Sequence, residues 1–140
     1  MLTSIFRRKG RAGRHTRLFE DLEPLQKSTL QDAVKLDDNE LPVIGSVESR
    51  HKWLVLTTER VVWHFEGKTQ TLSVWDIRDV EVDLQALASK GIHKDQMREL
   101  QINTMGGEQF TIEVEEGAPL IGVWNALKNL GARNRRHKPN

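Results

Sequence analysis

The side chains able to do chemistry are few and scattered in this chain of 140 residues. The chain contains no cysteine, which excludes thiolate nucleophiles, disulfides and cysteine-based zinc fingers. Its histidines are widely separated, and no pair has the spacing of a metal-binding motif. They are His15, His51, His64, His93 and His137. We therefore expect no bound metal and no cofactor.

One group of carboxylates has two interpretations, because four acidic residues lie close together. They are Asp76, Asp79, Glu81 and Asp83. Such a cluster could bind a cation or carry out acid–base chemistry. The last three alternate with Val80 and Val82, however, and successive residues of a strand point to opposite faces. We interpret the cluster as the solvated outer face of a strand.

No sequence motif supplies a catalytic nucleophile. Serine, histidine and aspartate are all present, but no nucleophile elbow organises them. The pair Gly106 and Gly107 lacks the Lys-Ser or Lys-Thr of a phosphate-binding loop and is typical of a hairpin turn. The sequence thus predicts no catalytic residues, and we expect a protein that is not an enzyme.

The net charge of +1 hides a strong sorting of charge along the chain. The first 17 residues carry six bases and no acid, and the last 13 carry five bases and no acid. The segment between them holds all 20 acidic residues and is strongly negative. The candidate anion-binding residues are Arg7, Arg8, Lys9, Arg11, Arg14, Arg17, Arg133, Arg135, Arg136 and Lys138.

The basic termini have three interpretations, which the sequence leaves open. Clustered arginine binds phosphates through paired hydrogen bonds, so the termini could hold RNA. They could instead attach to an anionic membrane, where each base is worth about 1 kcal/mol and Leu2, Ile5 and Phe6 would insert into the lipid. Third, they could add solubility only, or pack on the acidic domain.

Composition and apolar spacing divide the chain into four segments. These are a basic flexible arm (1–17), an N-terminal helical segment (18–36), the main domain (37–131) and a basic tail (132–140). Within the second segment, Ser28 and Gln31 have the spacing of a capping box, which predicts the start of a helix there.

From Pro42 onward the apolar period changes to two, which predicts seven short strands. They cover residues 43–47, 53–56, 60–65, 72–74, 77–84, 100–102 and 110–114. An amphipathic helix over 118–130 follows, with Gly131 as its C-terminal cap. Antiparallel strands closed by one helix predict an α+β domain that contains a β-sandwich or barrel.

Four segments of the main domain have an order and spacing that point to a known family. They are 36–40 (LDDNE), 53–63 (WLVLTTERVVW), 72–80 (LSVWDIRDV), and 100–102 (LQI) with the following Gly-Gly hairpin. In these features the chain resembles bacterial pleckstrin-homology (PH)-like domains. The resemblance implies a PH-like seven-stranded antiparallel β-sandwich or barrel with a C-terminal capping helix, here with an extra N-terminal helical segment. It also implies a non-enzymatic binding module.

Two parts of the resemblance concern individual residues. Eukaryotic PH domains that bind lipids use basic residues between the first two strands, and that segment here is 48–52 (ESRHK), in which Glu48 offsets one base. The motif that contains Thr57 and Arg60 has a structural interpretation. Thr57 can pin the turn, and the Arg60 guanidinium can reach a cross-strand acid or carbonyl.

We therefore expect a cytoplasmic module that binds an unidentified protein partner, with weak electrostatic attachment through its basic termini. No apolar run reaches the roughly 20 residues that span a bilayer. Trp75 is the candidate exposed aromatic residue because it breaks the strand alternation, and the other three tryptophans are expected in the core. The alternative is a protein that binds membrane phospholipid or RNA through its Arg-rich termini, with peripheral membrane attachment in the first case.

Overall fold

Eight strands and four helices form the part of the chain that the structure describes. The computed structural model covers residues 2–10, 12–93 and 96–137. The helices are α1 (Leu2–Lys9), α2 (Pro24–Ala33), α3 (Leu84–Ser89) and α4 (Ala118–Arg136). The strands are β1 (Thr16–Leu18), β2 (Pro42–Ser49), β3 (Lys52–Thr57), β4 (Arg60–Phe65), β5 (Lys68–Ser73), β6 (Ile77–Glu81), β7 (Glu99–Thr104) and β8 (Gln109–Glu113). The fold class is α+β, as predicted.

The strands form two antiparallel sheets, one with the order β1-β2-β3-β4-β5 and the other with the order β6-β7-β8. Gly106 and Gly107 lie in the turn between β7 and β8, where Gly107 has a φ of 91°. The prediction of seven strands misses β1, because three residues are too few to show an alternation. It also extends the sixth strand of the structure too far, since β6 ends at Glu81 and Leu84 begins α3.

Two hydrophobic cores cover the two faces of the five-stranded sheet. The larger core joins both sheets to the apolar sides of α1 and α4. Its fully buried residues include Ile44, Leu56, Val61, Ile77, Leu100, Ile102 and Leu127. The smaller core lies between α2 and the outer face of the sheet. Its residues are Leu22, Leu30, Val34, Val47, Trp53, Val55 and Val62.

The N-terminal residues are packed into this fold, so the prediction of a flexible arm over 1–17 is wrong for the residues described there. Ile5 is 6% exposed and Phe6 is 2% exposed in the larger core. A Cβ placed on Gly10 would lie 2.5 Å from the Cα of Gly122, so the chain after α1 passes directly over α4. Periodicity identifies the apolar side of α1 but not the surface that receives it.

Both longer helices have ends that differ from the prediction. Helix α2 begins at Pro24, and the backbone N of Glu23 donates to Gln26 Oε1 at 3.1 Å, so Ser28 lies inside the helix. Proline is favoured at a helix start because its missing N–H has no partner there. Helix α4 continues past Gly131 to Arg136. A Cβ at Gly131 would lie 2.6 Å from the Arg78 O, so the residue serves packing rather than a cap. Gly131 thus permits close packing on β6, and residues 132–136 are helix rather than tail.

Candidate interaction surface

Trp75 is exposed because of the turn that carries it. A 3₁₀ turn, Val74–Asp76, connects β5 to β6, and Ser73 Oγ accepts a hydrogen bond from the Trp75 backbone N at 3.2 Å. Val74 is 1% exposed and points into the larger core, so the following side chain points outward. Trp75 is 55% exposed, whereas the other three tryptophans are buried or half-buried.

The guanidinium of Arg133 covers one face of the Trp75 ring. Its Cζ lies 3.9 Å from the ring centroid, which is the geometry of a cation–π contact. The Nε and Nη2 atoms of Arg133 are shielded from solvent and have no hydrogen-bond partner among the described residues. The contact therefore holds the ring in one orientation and leaves its other side accessible.

Further basic side chains belong to the last turn of α4 and to the start of β6. Arg136 follows Arg133 by three positions, so the two side chains lie on the same side of α4. Arg135 donates a hydrogen bond to the backbone O of Arg78, whose own side chain is 51% exposed and pairs with Asp79 at 3.2 Å. We call this group the Trp75 surface, which comprises Trp75, Arg78, Arg133, Arg135 and Arg136.

The Trp75 surface is positively charged and firmly attached to the fold. Helix α4 contains no acidic residue, and its last turn carries three arginines. No carboxylate in the described ranges forms an ion pair with any of these three. Asn134 Nδ2 fixes the 3₁₀ turn between β5 and β6, because it donates to the O atoms of Val74 and Ile77, both at 2.7 Å. The sequence prediction placed these arginines in a tail, whereas the structure fixes them on a helix.

Two of the candidate anion-binding residues at the N-terminus are engaged within the molecule. Arg7 pairs with Glu20 at 2.7 Å, and both side chains are largely exposed. Arg17 Nε donates to the Gly13 O at 3.1 Å and so stabilises the segment before β1. These two guanidinium groups therefore already have partners in the protein.

The other described N-terminal bases lie on the surface. The exposed ones are Arg8, Lys9 and Arg14. In the membrane alternative Ile5 and Phe6 would insert into lipid, but both are buried in the larger core, so this part of that alternative is wrong. Arg11 and Lys138 lie outside the described residues.

Glu115 fastens the N-terminal segment to the end of β8. Its carboxylate accepts hydrogen bonds from the backbone N atoms of Arg14, His15 and Thr16, each at 2.9 Å. Burial raises the pKa of Glu115, but these hydrogen bonds outweigh it and leave the pKa below its usual value. Sequence reasoning missed this contact because about 100 residues separate the partners.

The motif that contains Thr57 and Arg60 is organised around Glu40, whose side chain is fully buried. Thr57 Oγ1 donates to Glu40 Oε2 at 2.5 Å, and Arg60 Nε donates to the same oxygen at 2.9 Å. Thr57 Oγ1 also accepts from the backbone N atoms of Glu59 and Arg60, each at 3.0 Å. The contacts of both residues are internal to the protein, and the acid that Arg60 reaches lies before β2 rather than across a strand.

Residues 48–52, which the PH-like resemblance would place in a lipid-binding loop, contain one base that is paired with carboxylates. Lys52 Nζ lies 3.0 Å from Glu48 Oε2 and 3.1 Å from Glu113 Oε1. Arg98 Nη2 lies 2.5 Å from Glu48 Oε1. Lys52 is therefore held between two carboxylates, whereas Arg50 is exposed. Arg98 and Glu113 could not be assigned to this group from sequence, since they lie on distant strands or connections.

Two of the four carboxylates in the acidic cluster accept hydrogen bonds from a neighbouring amide. Asn103 Nδ2 donates to Asp79 Oδ1 at 2.6 Å and to Glu81 Oε1 at 3.1 Å. In the part of the chain that the structure describes, no group of three or more His, Asp or Glu is arranged to hold a metal ion.

Comparison with known proteins gives no match, either to a protein-family model or to a curated protein. The resemblance to PH-like domains therefore stays a prediction. Among residues 2–10, 12–93 and 96–137, no helix is both long enough and apolar enough to cross a membrane.

Proposed function

We propose that this protein is a non-enzymatic binding module of the PH-like kind, and that it contacts a protein partner through the Trp75 surface. The order of the elements supports the PH-like part, since antiparallel strands in two sheets are followed by a C-terminal helix. The composition of the Trp75 surface supports the binding part. The rigid sheets and α4 would then be the scaffold that presents this surface.

One observation carries the proposal: a tryptophan that is 55% exposed stacks on Arg133, which belongs to the basic last turn of α4. Tryptophan and arginine are the residue types that most often dominate the binding energy of protein interfaces. Because Arg133 already orients the ring and Asn134 already holds the 3₁₀ turn that carries it, docking would cost little side-chain entropy at Trp75. The surface thus combines the composition and the rigidity that favour binding.

Site-specific photo-crosslinking in cells that produce the protein tests this proposal. A photoreactive phenylalanine analogue replaces Trp75 in one variant and Leu84 in the control, since Leu84 is an exposed apolar residue of α3. We expect a protein adduct of discrete mass at position 75 and none at position 84. No adduct at position 75, or the same adducts at both positions, would contradict the proposal.

The second candidate function is binding of an anionic membrane or RNA through the basic termini. It is favoured by the exposed bases Arg8 and Lys9 on α1 and by the arginines in the last turn of α4. Truncation is a poor test, because removal of residues 1–17 would also remove Ile5, Phe6 and most of β1. Charge reversal of Arg8 and Lys9 to Glu keeps the core intact. Loss of cosedimentation with phosphatidylserine vesicles, or of RNA retention, would support this candidate, and unchanged binding would oppose it.

A further inference from the structure

We infer that the part of the partner that occupies the Trp75 surface is an acidic peptide segment, with carboxylates on either side of an apolar or aromatic side chain. This inference rests on the proposed function and adds the chemistry of the ligand. Three features of the surface support it: arginines without a carboxylate partner, an accessible side of the ring, and acidic residues at the edge.

The arginines in the last turn of α4 lack the carboxylate partners that several other arginines of the protein have. Arg7, Arg60 and Arg98 each pair with a glutamate. The last-turn arginines pair with no carboxylate within the described ranges, and Arg135 and Arg136 are exposed. An exposed guanidinium binds a carboxylate from another molecule through two parallel hydrogen bonds. The charge of this surface is therefore complementary to carboxylates.

The accessible side of the Trp75 ring determines which kind of side chain lies between the carboxylates of the peptide. An indole ring offers a large apolar area, and its binding contribution depends on an apolar or aromatic side chain that packs against it. Arg133 occupies one side of the ring, so this packing takes place on the other. A segment of acids alone would leave that area in water and would gain only screened charge interactions.

Acidic residues at the edge of the surface favour a peptide over a continuous polyanion. Asp76 directly follows Trp75 and is exposed, and the side chain of Asp79 is 40% exposed beside Arg78. A membrane surface or a nucleic-acid backbone presents closely spaced negative charge, which these carboxylates repel. A peptide carries separate charges, so its carboxylates can lie at the arginines and avoid Asp76.

Fluorescence anisotropy with the full chain tests the inference. The probe is a fluorescein-labelled peptide in which glutamates flank a central phenylalanine. One reference peptide has lysine in place of every glutamate, and another has serine in place of the phenylalanine. The test variants are Trp75→Ala and Arg136→Glu. The matched controls make the same kinds of change at exposed positions elsewhere, Leu84→Ala and Arg50→Glu.

We expect the acidic phenylalanine peptide to bind more tightly than either reference peptide. Each test variant should weaken this binding about tenfold and each control less than about twofold. Absence of binding would overturn the inference, and so would an equal effect of Arg136→Glu and Arg50→Glu. Phosphatidylserine vesicles and single-stranded RNA serve as further probes. If vesicles or RNA bind, Arg136→Glu weakens that binding, and the peptide does not bind, then the ligand is a polyanion and the inference is wrong.

The two proposals fail in different ways. If the position-75 adduct forms in cells but is unaffected by Arg136→Glu, the Trp75 surface binds a protein and the inference of an acidic segment fails. If no adduct forms at position 75 and the peptide does not bind, both proposals fail.

Discussion

Replacement of Glu40 by glutamine should remove a pH-dependent part of the stability of this protein. The carboxylate is buried and accepts hydrogen bonds from Thr57 at 2.5 Å and from Arg60 at 2.9 and 3.2 Å. The guanidinium of Arg60 is the main reason that the pKa of Glu40 falls from 4.5 to about 2, with Thr57 and the backbone N–H of Asp37 contributing against the effect of burial. Glutamine keeps the shape of the side chain but carries no charge.

The magnitude follows from the pKa of Glu40 in the two states. It is near 4.5 in the unfolded chain and about 2 in the folded protein. Because the folded-state pKa is the lower one, the ionised carboxylate stabilises the fold fully above about pH 5 and loses this effect as the pH falls towards 2. The difference corresponds to about 3 kcal/mol at neutral pH, of which about 1 kcal/mol remains near pH 3.

Urea unfolding at a series of pH values, followed by tryptophan fluorescence, measures this effect. We expect the wild type to exceed Glu40→Gln in free energy of unfolding by about 3 kcal/mol near pH 7 and by about 1 kcal/mol near pH 3. The control is Glu59→Gln, since Glu59 is exposed beside the same motif, and its profile should parallel the wild type. A difference between wild type and Glu40→Gln that is the same at both ends of the pH range would refute the reasoning.

Three other substitutions test how the ends of the chain are held. Phe6→Ala creates a cavity at a site that is 2% exposed and should lower the free energy of unfolding in urea by about 3 kcal/mol, whereas the exposed Arg8→Ala should have little effect. Glu115→Gln should lower the free energy of unfolding by about 2 kcal/mol and speed amide hydrogen exchange at residues 14–16 relative to β7. Unchanged exchange at these residues would contradict the contact. Gly131→Ala should lower the melting temperature, with a cost of about 2 kcal/mol, because its methyl group would lie 2.6 Å from a backbone oxygen. Gly106→Ala, where a Cβ meets nothing closer than 3.9 Å, is its control and should be nearly neutral.

Most strands could be predicted from the sequence because each carries its own alternation. The run 53–65 contains two groups of strand-forming residues separated by a polar turn, and β3 and β4 lie there. The three residues of β1 carry no such pattern, and their hydrogen bonds come from β2 and from Glu115. Helix α1 was equally hard to place, since its apolar side packs on α4 near the other end of the chain.

The candidate site could be predicted only in part. A break in strand alternation indicates that Trp75 points away from the core, and that signal is local. The contact of Arg133 with its ring depends on the length of α4, and a glycine near a helix end is typical either of a cap or of close packing. Only the position of the Arg78 O distinguishes these two cases for Gly131. The partner of Arg60 was also hidden, because Glu40 precedes it by 20 residues.

The contact between α1 and α4 sets an order for events during synthesis. Gly10 and Gly122 touch although more than 100 residues separate them. As the chain leaves the ribosome, the two sheets can begin to form from neighbouring strands, whereas Ile5 and Phe6 lack their main packing surface until α4 has been made. The larger core is therefore completed only after translation of α4, and the apolar side of α1 stays open to chaperones in the meantime. Helix α1 is made before the strands and buried after them.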